Sequence, residues 1–251
     1  KNTNPNKFDR EHAEEWPGGR YNHYIFDMNR DWAWQTQVET KQRMALYNEW
    51  MPHVHSDIHE QGYDSPYFFP PAAEPQHEFI EAYQKDFHKL LGKNIAAKFD
   101  ANSWLYNTSE RFDLFYPSYG DTYPMYNGAV GMTLEQGGIR AGREITMENG
   151  VNLTIKERLT HHKTAVLAVV ETSASQIDPL LKGFRNFMNN PRTQMKGKYA
   201  TYVVKNNPKN VQLAELLKIN KIEYAYASEK SSASGYNYFS KKDESFSVEP
   251  N

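Results

Sequence analysis

The sequence predicts an α/β fold with a mixed central sheet flanked by helices. Three observations predict it. Two short apolar runs, around Val54–His59 and Ala129–Glu135, are bounded by Pro and Gly and have strand length. Two longer segments, residues 76–91 and about 160–189, repeat apolar residues at helical spacing. After residue 195 an apolar run, a helical run and a second apolar run follow one another, the pattern of a small α/β module.

Taken in order, residues 1–31 read as an arm rich in Asn, Pro and Gly, with WPGGR as a turn. Residues 32–51 read as a helix that Pro52 ends. His53–His59 reads as a buried strand opening into a functional loop. Tyr67-Phe68-Phe69 runs into Pro70-Pro71, which have no N–H to give a ladder, so no central strand continues there. In residues 76–91, Phe79, Ile80, Tyr83, Phe87, Leu90 and Leu91 form the apolar stripe. Residues 113–128 read as a tyrosine-rich loop, 129–135 as an apolar strand and 145–147 as a second, short one. The helix from about Thr160 to Asn189 carries a break near Pro179. In the last section, Tyr199–Lys205 and Ile222–Ala227 read as strands and Pro208–Leu217 as a helix, and the tail from Ser228 is rich in Ser and Lys. The domain boundary falls at 195/196.

Composition excludes several classes. The 251 residues carry 29 basic and 31 acidic side chains with no basic stripe, which argues against nucleic acid. No apolar run approaches the length of a membrane span. Cysteine is absent, so a metal site would have to use His and carboxylate. The 17 Tyr, 13 Phe and 5 Trp suit a pocket-bearing domain.

Three constellations bear chemistry. Asn29-Arg30 pairs an amide with a guanidinium fork, which binds carboxylate in two parallel hydrogen bonds. As a dipeptide it is equally an ordinary surface pair. In His53-Val54-His55-Ser56-Asp57-Ile58-His59, strand alternation puts His53, His55, Asp57 and His59 on one face. A histidine at such a strand end is a metal-ligand candidate, with Asp57 as its orienting partner. Hydrogen-bonded, half-buried histidines are the plainer alternative. In Gly131-Met132-Thr133-Leu134-Glu135-Gln136-Gly137-Gly138, a carboxylate ends an apolar strand. Burial would raise its pKa toward the range of a general base, whereas a solvent-facing strand exit would leave it ordinary.

The order Asn-Arg, strand His, strand Glu resembles the zinc carboxypeptidase family. The segments PGGRYNHYIFDMNRDW, DIHEQG, YFFPPAAEP and GMTLEQGG are similar to a bacterial branch of it, and the resemblance spans roughly residues 1–172. It implies a metallocarboxypeptidase that removes C-terminal residues from peptides, with one zinc ion in the intact protein and a secreted or periplasmic bacterial setting. Residue by residue, it implies that Asn29 and Arg30 hold the substrate's terminal carboxylate, that His59 is the third zinc ligand and that Glu135 is the general base. Arg20, or less well Arg10, would polarise the scissile carbonyl. Tyr119 would cap the site, chosen from Tyr116, Tyr119, Tyr123 and Tyr126. Gly120 and Asp121 fall where the family sets side-chain preference, without an alignment that fixes them.

The family's first two ligands come from an HxxE motif on an early strand. His12-Ala13-Glu14-Glu15 matches by letter but sits in a charged arm with no apolar strand. The chain therefore reads as the C-terminal portion (1–195) of a catalytic domain, incomplete at its N-terminus, followed by the start of a second module (196–251). The competing expectations are a non-catalytic peptide- or glycan-binding module and an amidase or deacylase on the same scaffold, which would not need Arg30 as an anchor.

Overall fold

A computed structural model describes residues 6, 20–139, 142–193 and 198–250. Its backbone divides into two compact units, Lys1–Lys198 and Tyr199–Asn251. In the first unit the elements run α1 (Val38–Trp50), β1 (Val54–Gly62), β2 (Tyr67–Phe68), α2 (Ala82–Asp100), β3 (Tyr106–Asn107), α3 (Thr122–Tyr126), β4 (Val130–Gly138), β5 (Ile145–Thr146), β6 (Asn152–Leu153), α4 (Ile155–Ser175) and α5 (Ile177–Thr193). The second holds α6 (Asn210–Ile219), β7 (Ser231–Asn237) and β8 (Lys242–Val248). No helix among the described residues is long and apolar enough to cross a membrane.

The fold class is mixed α/β. Four strands form one sheet in the order β1-β4-β2-β3. β1 runs parallel to β4 in unbroken register from Val54↔Val130 to Gly62↔Gly138. β2 pairs antiparallel with β4 and parallel with β3, so the sheet is mixed. β4 is central and buried along almost its whole length, which is why it reads as a nearly continuous apolar run rather than an alternating one. Val130, Met132 and Leu134 point into a core shared with Phe87, Leu91, Ile95 and Phe99 of α2 and Ala165, Ala168 and Val169 of α4. Each large side chain buried there contributes about 1.5–3 kcal/mol.

Local signals account for most boundaries. α1 begins later than residue 32 because Asp31 caps a preceding turn: its carboxylate accepts from Thr36 N, Thr36 Oγ1 and Gln37 N at 2.9, 2.8 and 2.9 Å. α1 ends at Met51, in the left-handed region at φ 46°, just before Pro52. α4 begins at a reciprocal cap, with Thr154 N donating to Glu157 Oε2 at 2.7 Å and Glu157 N to Thr154 Oγ1 at 3.3 Å. That cap starts the helix at 155 rather than 160. The break falls at Gln176, so that Pro179 occupies the first turn of α5, where its missing N–H costs nothing. β2 stops before the prolines, yet its two residues lie inside the sheet.

The second unit corrects two expectations. Tyr199–Lys205 and Ile222–Ala227 form no strand. Strand propensity there finds no pairing edge, and Tyr202, Val203 and Tyr226 stay exposed. The tail instead folds into the β7–β8 hairpin, paired from Asn237↔Lys242 to Ser231↔Val248. Lys241 N donates to Asn237 O at 2.8 Å to close the turn.

Candidate active site

The site is built on the face of β1 and β4 that points away from α2 and α4. Along β1 that face carries His55, Asp57 and His59; along β4 it carries Gly131, Thr133 and Glu135. Parallel register places His59 directly opposite Glu135, and antiparallel register places Phe68 on Glu135's other side. Strands a hydrogen bond apart stand roughly 4.8 Å from one another, so the imidazole and carboxyl are neighbours. His53 precedes the strand and packs on the ring of Phe184, 4.2 Å between centroids.

The segment before α1 brings a third wall. Asp27 caps a short 3-10 turn over Met28–Arg30, accepting from Asn29 N at 2.9 Å, and its other oxygen takes Arg20 Nε at 2.9 Å. Asn29's orientation follows from its partners. Trp32 Nε1 and Gly120 N, both donors only, reach one side-chain atom at 3.1 and 2.7 Å, so that atom is Oδ1. Nδ2 therefore faces Asp57 Oδ2 at 2.9 Å and His59 Nε2 at 3.0 Å. His59 Nε2 also lies 2.8 Å from Asp57 Oδ1, leaving its Nδ1 with no partner among the described residues.

The tyrosine-rich loop closes the fourth side. Ser118 Oγ accepts from Ala33 N and donates to Arg30 O, both at 2.9 Å, locking loop to turn. Gly120 fits where a Cβ would come within 2.5 Å of Asp57 Oδ2 and 2.7 Å of Asn29 Oδ1. The Arg30 guanidinium lies over the Tyr119 ring, 4.3 Å from its centroid, and donates to Asn29 O at 2.9 Å. Tyr116 packs on Tyr119 and accepts from Trp34 Nε1. Tyr123 packs on Trp32 and Tyr47, and Tyr126 bonds Phe115 O.

These walls enclose a cavity of about 200 Å³ lined by Arg20, Asn29, Arg30, His59, Tyr119 and Glu135, together with Asp57, Asp121, Thr133 and the loop Arg111-Phe112-Asp113. All six site residues expected from sequence thus meet in one place. Arg111–Asp113 had no assigned role, and Asp121 had only a place near the family's side-chain-preference region. Asp121 is buried against Thr133 Oγ1 (2.8 Å) and Thr122 Oγ1 (2.9 Å), beside a Gly131 whose Cβ would collide with its carbonyl. No local pattern marks Arg111; only tertiary structure brings it here.

Burial pushes the Glu135 carboxyl up to about 7, with nearby His59 pulling the other way. The Asp57 hydrogen bond raises His59 above the usual imidazole value against the effect of burial. Burial opposes the charge on Asp57, but His59 and Asn29 outweigh it and hold that carboxyl below its usual range. Burial raises Asp121 despite its two hydroxyl donors. The cavity thus holds one firmly ionised carboxylate beside a general-base candidate poised near neutrality.

The described residues do not by themselves fit a zinc ion. No group of three His, Asp or Glu among them is disposed to hold a metal. His59 offers Nδ1, while Asp57 is committed to His59 and Asn29. Arg10, His12 and Glu15 lie outside the described residues. Comparisons with protein-family models, curated proteins and solved structures return no match to the chain.

Proposed function

We propose that this chain forms the carboxylate-anchoring and proton-transfer side of a metallocarboxypeptidase site, acting on the C-terminal peptide bond of peptides. One observation carries the reading: residues from segments distant in sequence, the ones the family resemblance singles out, line a single cavity together with a carboxyl whose pKa is raised. Arg30, pre-oriented by its bond to Asn29 O and by the Tyr119 ring, is geometrically suited to fork the terminal carboxylate. Arg20, held by Asp27 at the cavity, would donate to the scissile carbonyl oxygen. Glu135 accepts a proton from the attacking water and returns it to the leaving amine nitrogen. Asn29 contributes mainly by position, since its amide is already engaged with Trp32, Gly120 and Asp57. Zinc is the ion the family resemblance implies. Its remaining ligands would come from outside the described residues.

The test is hydrolysis of an N-blocked peptide by the intact protein supplied with zinc, alongside Glu135→Gln. The wild type should release single C-terminal residues, and the variant should bind the peptide while turning over about 10²–10⁴-fold more slowly. Binding without turnover in the wild type would favour the non-catalytic module, and full activity in Arg30→Ala would favour the amidase reading.

A further inference from the structure

The cavity contains one more guanidinium than the proposed mechanism uses. Three guanidiniums line it. Arg20 is paired with Asp27 at 2.9 Å. Arg30 rests on Tyr119 and is the anchor proposed above. Arg111 is exposed at the rim beside Phe112, its guanidinium carbon 5.9 Å from that ring's centroid, and makes no ion pair among the described residues.

The cavity's carboxylates have other partners. Asp57 is bound by His59 and Asn29, Asp121 by Thr133 and Thr122, and Asp113 Oδ1 by Phe115 N at 2.9 Å. Glu135 stands across from His59 with its pKa near 7. The Phe112 ring is fixed by Phe68, 4.5 Å between centroids, and Phe68 is itself in register with Glu135. That chain of contacts ties the segment carrying Arg111 to the strand that bears the Glu135 carboxyl. An uncommitted guanidinium in a cavity that already has a carboxylate anchor is complementary to a second anion on the same ligand.

We infer that Arg111 selects substrates whose C-terminal residue is itself a dicarboxylic amino acid, glutamate or aspartate, pairing its side-chain carboxylate while Arg30 takes the α-carboxylate. This rests on the carboxypeptidase reading and adds the side chain it prefers. A neutral isostere such as glutamine leaves Arg111 without an anionic partner, and a lysine meets like charge. A charge-assisted pair of this kind discriminates by roughly tenfold or more.

The experiment is calorimetric titration of the full chain with one short peptide ending in Glu, Gln or Lys, each as free acid and as C-terminal amide. The wild type should bind the Glu free acid at least about tenfold tighter than the Gln free acid. Arg111→Gln should bring the Glu-to-Gln ratio close to one. Arg111→Glu should reverse the order so that the Lys peptide binds best, an outcome that loss of folding cannot imitate. Arg111→Lys should restore part of the ratio. A wild-type free-acid preference combined with equal affinity for Glu and Gln would overturn this inference alone. Equal affinity for every free acid and its amide would overturn the carboxypeptidase reading, and this inference with it.

Discussion

The two faces of β4 have the same backbone and almost opposite jobs. One face, Val130, Met132 and Leu134, lies against α2 and α4 in the core. The other carries Gly131 under the Asp121 carbonyl and Thr133 and Glu135 in the cavity lining, and is nearly as buried, with Glu135 only 8% exposed. On the core face burial stabilises, because apolar surface leaves water. On the site face burial works against a charge and lifts the Glu135 carboxyl to about 7. A single strand therefore supplies stability on one side and a destabilised, reactive group on the other. Neighbouring residues should respond to mutation in opposite ways.

Leu134→Ala should give the largest stability effect. Leu134 is fully buried, and large-to-small core changes of this kind cost about 2–5 kcal/mol. Denaturant unfolding measures the loss, while the affinity of the folded fraction for a free-acid peptide should hold. A comparable fall in that affinity would mean the two faces are not separable.

Glu135→Gln should do the reverse, and its pH dependence has a definite sign. The unfolded carboxyl titrates near 4.5 and the folded one near 7. Between those values the native state keeps a proton that the unfolded chain has lost, so native stability falls as pH rises through that window. Gln does not titrate. Relative to wild type, the variant should therefore gain stability, on the order of 1–3 kcal/mol, as pH is raised from about 4.5 to about 7. Thermal melts of both proteins across that range measure it, and parallel curves would contradict the raised carboxyl.

Tyr119→Leu should be the smallest effect. It removes the ring beneath Arg30, and such contacts contribute about 0.5–1 kcal/mol at exposed sites. Peptide affinity should drop severalfold; an unchanged affinity would mean that Arg30 is positioned by its backbone bond alone.

The site was legible in the sequence where its chemistry is written locally. Glu135 closes an apolar run before two glycines, His59 closes an alternating run, and Asn29 and Arg30 are adjacent, although β1 and β4 continue to Gly62 and Gly138. What was not legible depends on tertiary placement. Arg111 sits in an unremarkable loop, and the packing of Phe68 on Phe112 carries that loop to the cavity. The same division holds for the fold. Pro179 marks the helix break in plain letters, whereas the expected start at Thr160 overlooks the Thr154/Glu157 cap. The β7–β8 hairpin, SSASGYN against KDESFSV, lacks apolar alternation, and its pairing partner rather than its composition makes it a strand. In the Tyr199–Asn251 unit, where no described residue is buried, propensity alone misled at Tyr199–Lys205 and Ile222–Ala227.

The central claim is that this cavity reads a free C-terminal carboxylate through Arg30. The most direct test is the affinity of the full chain for one peptide as free acid and as amide, in wild type and in Arg30→Gln. The account predicts that the wild type binds the free acid more tightly by about 1.5–3 kcal/mol and that the variant loses most of this difference. Equal affinity for acid and amide in the wild type, or a difference that survives in Arg30→Gln, would contradict it.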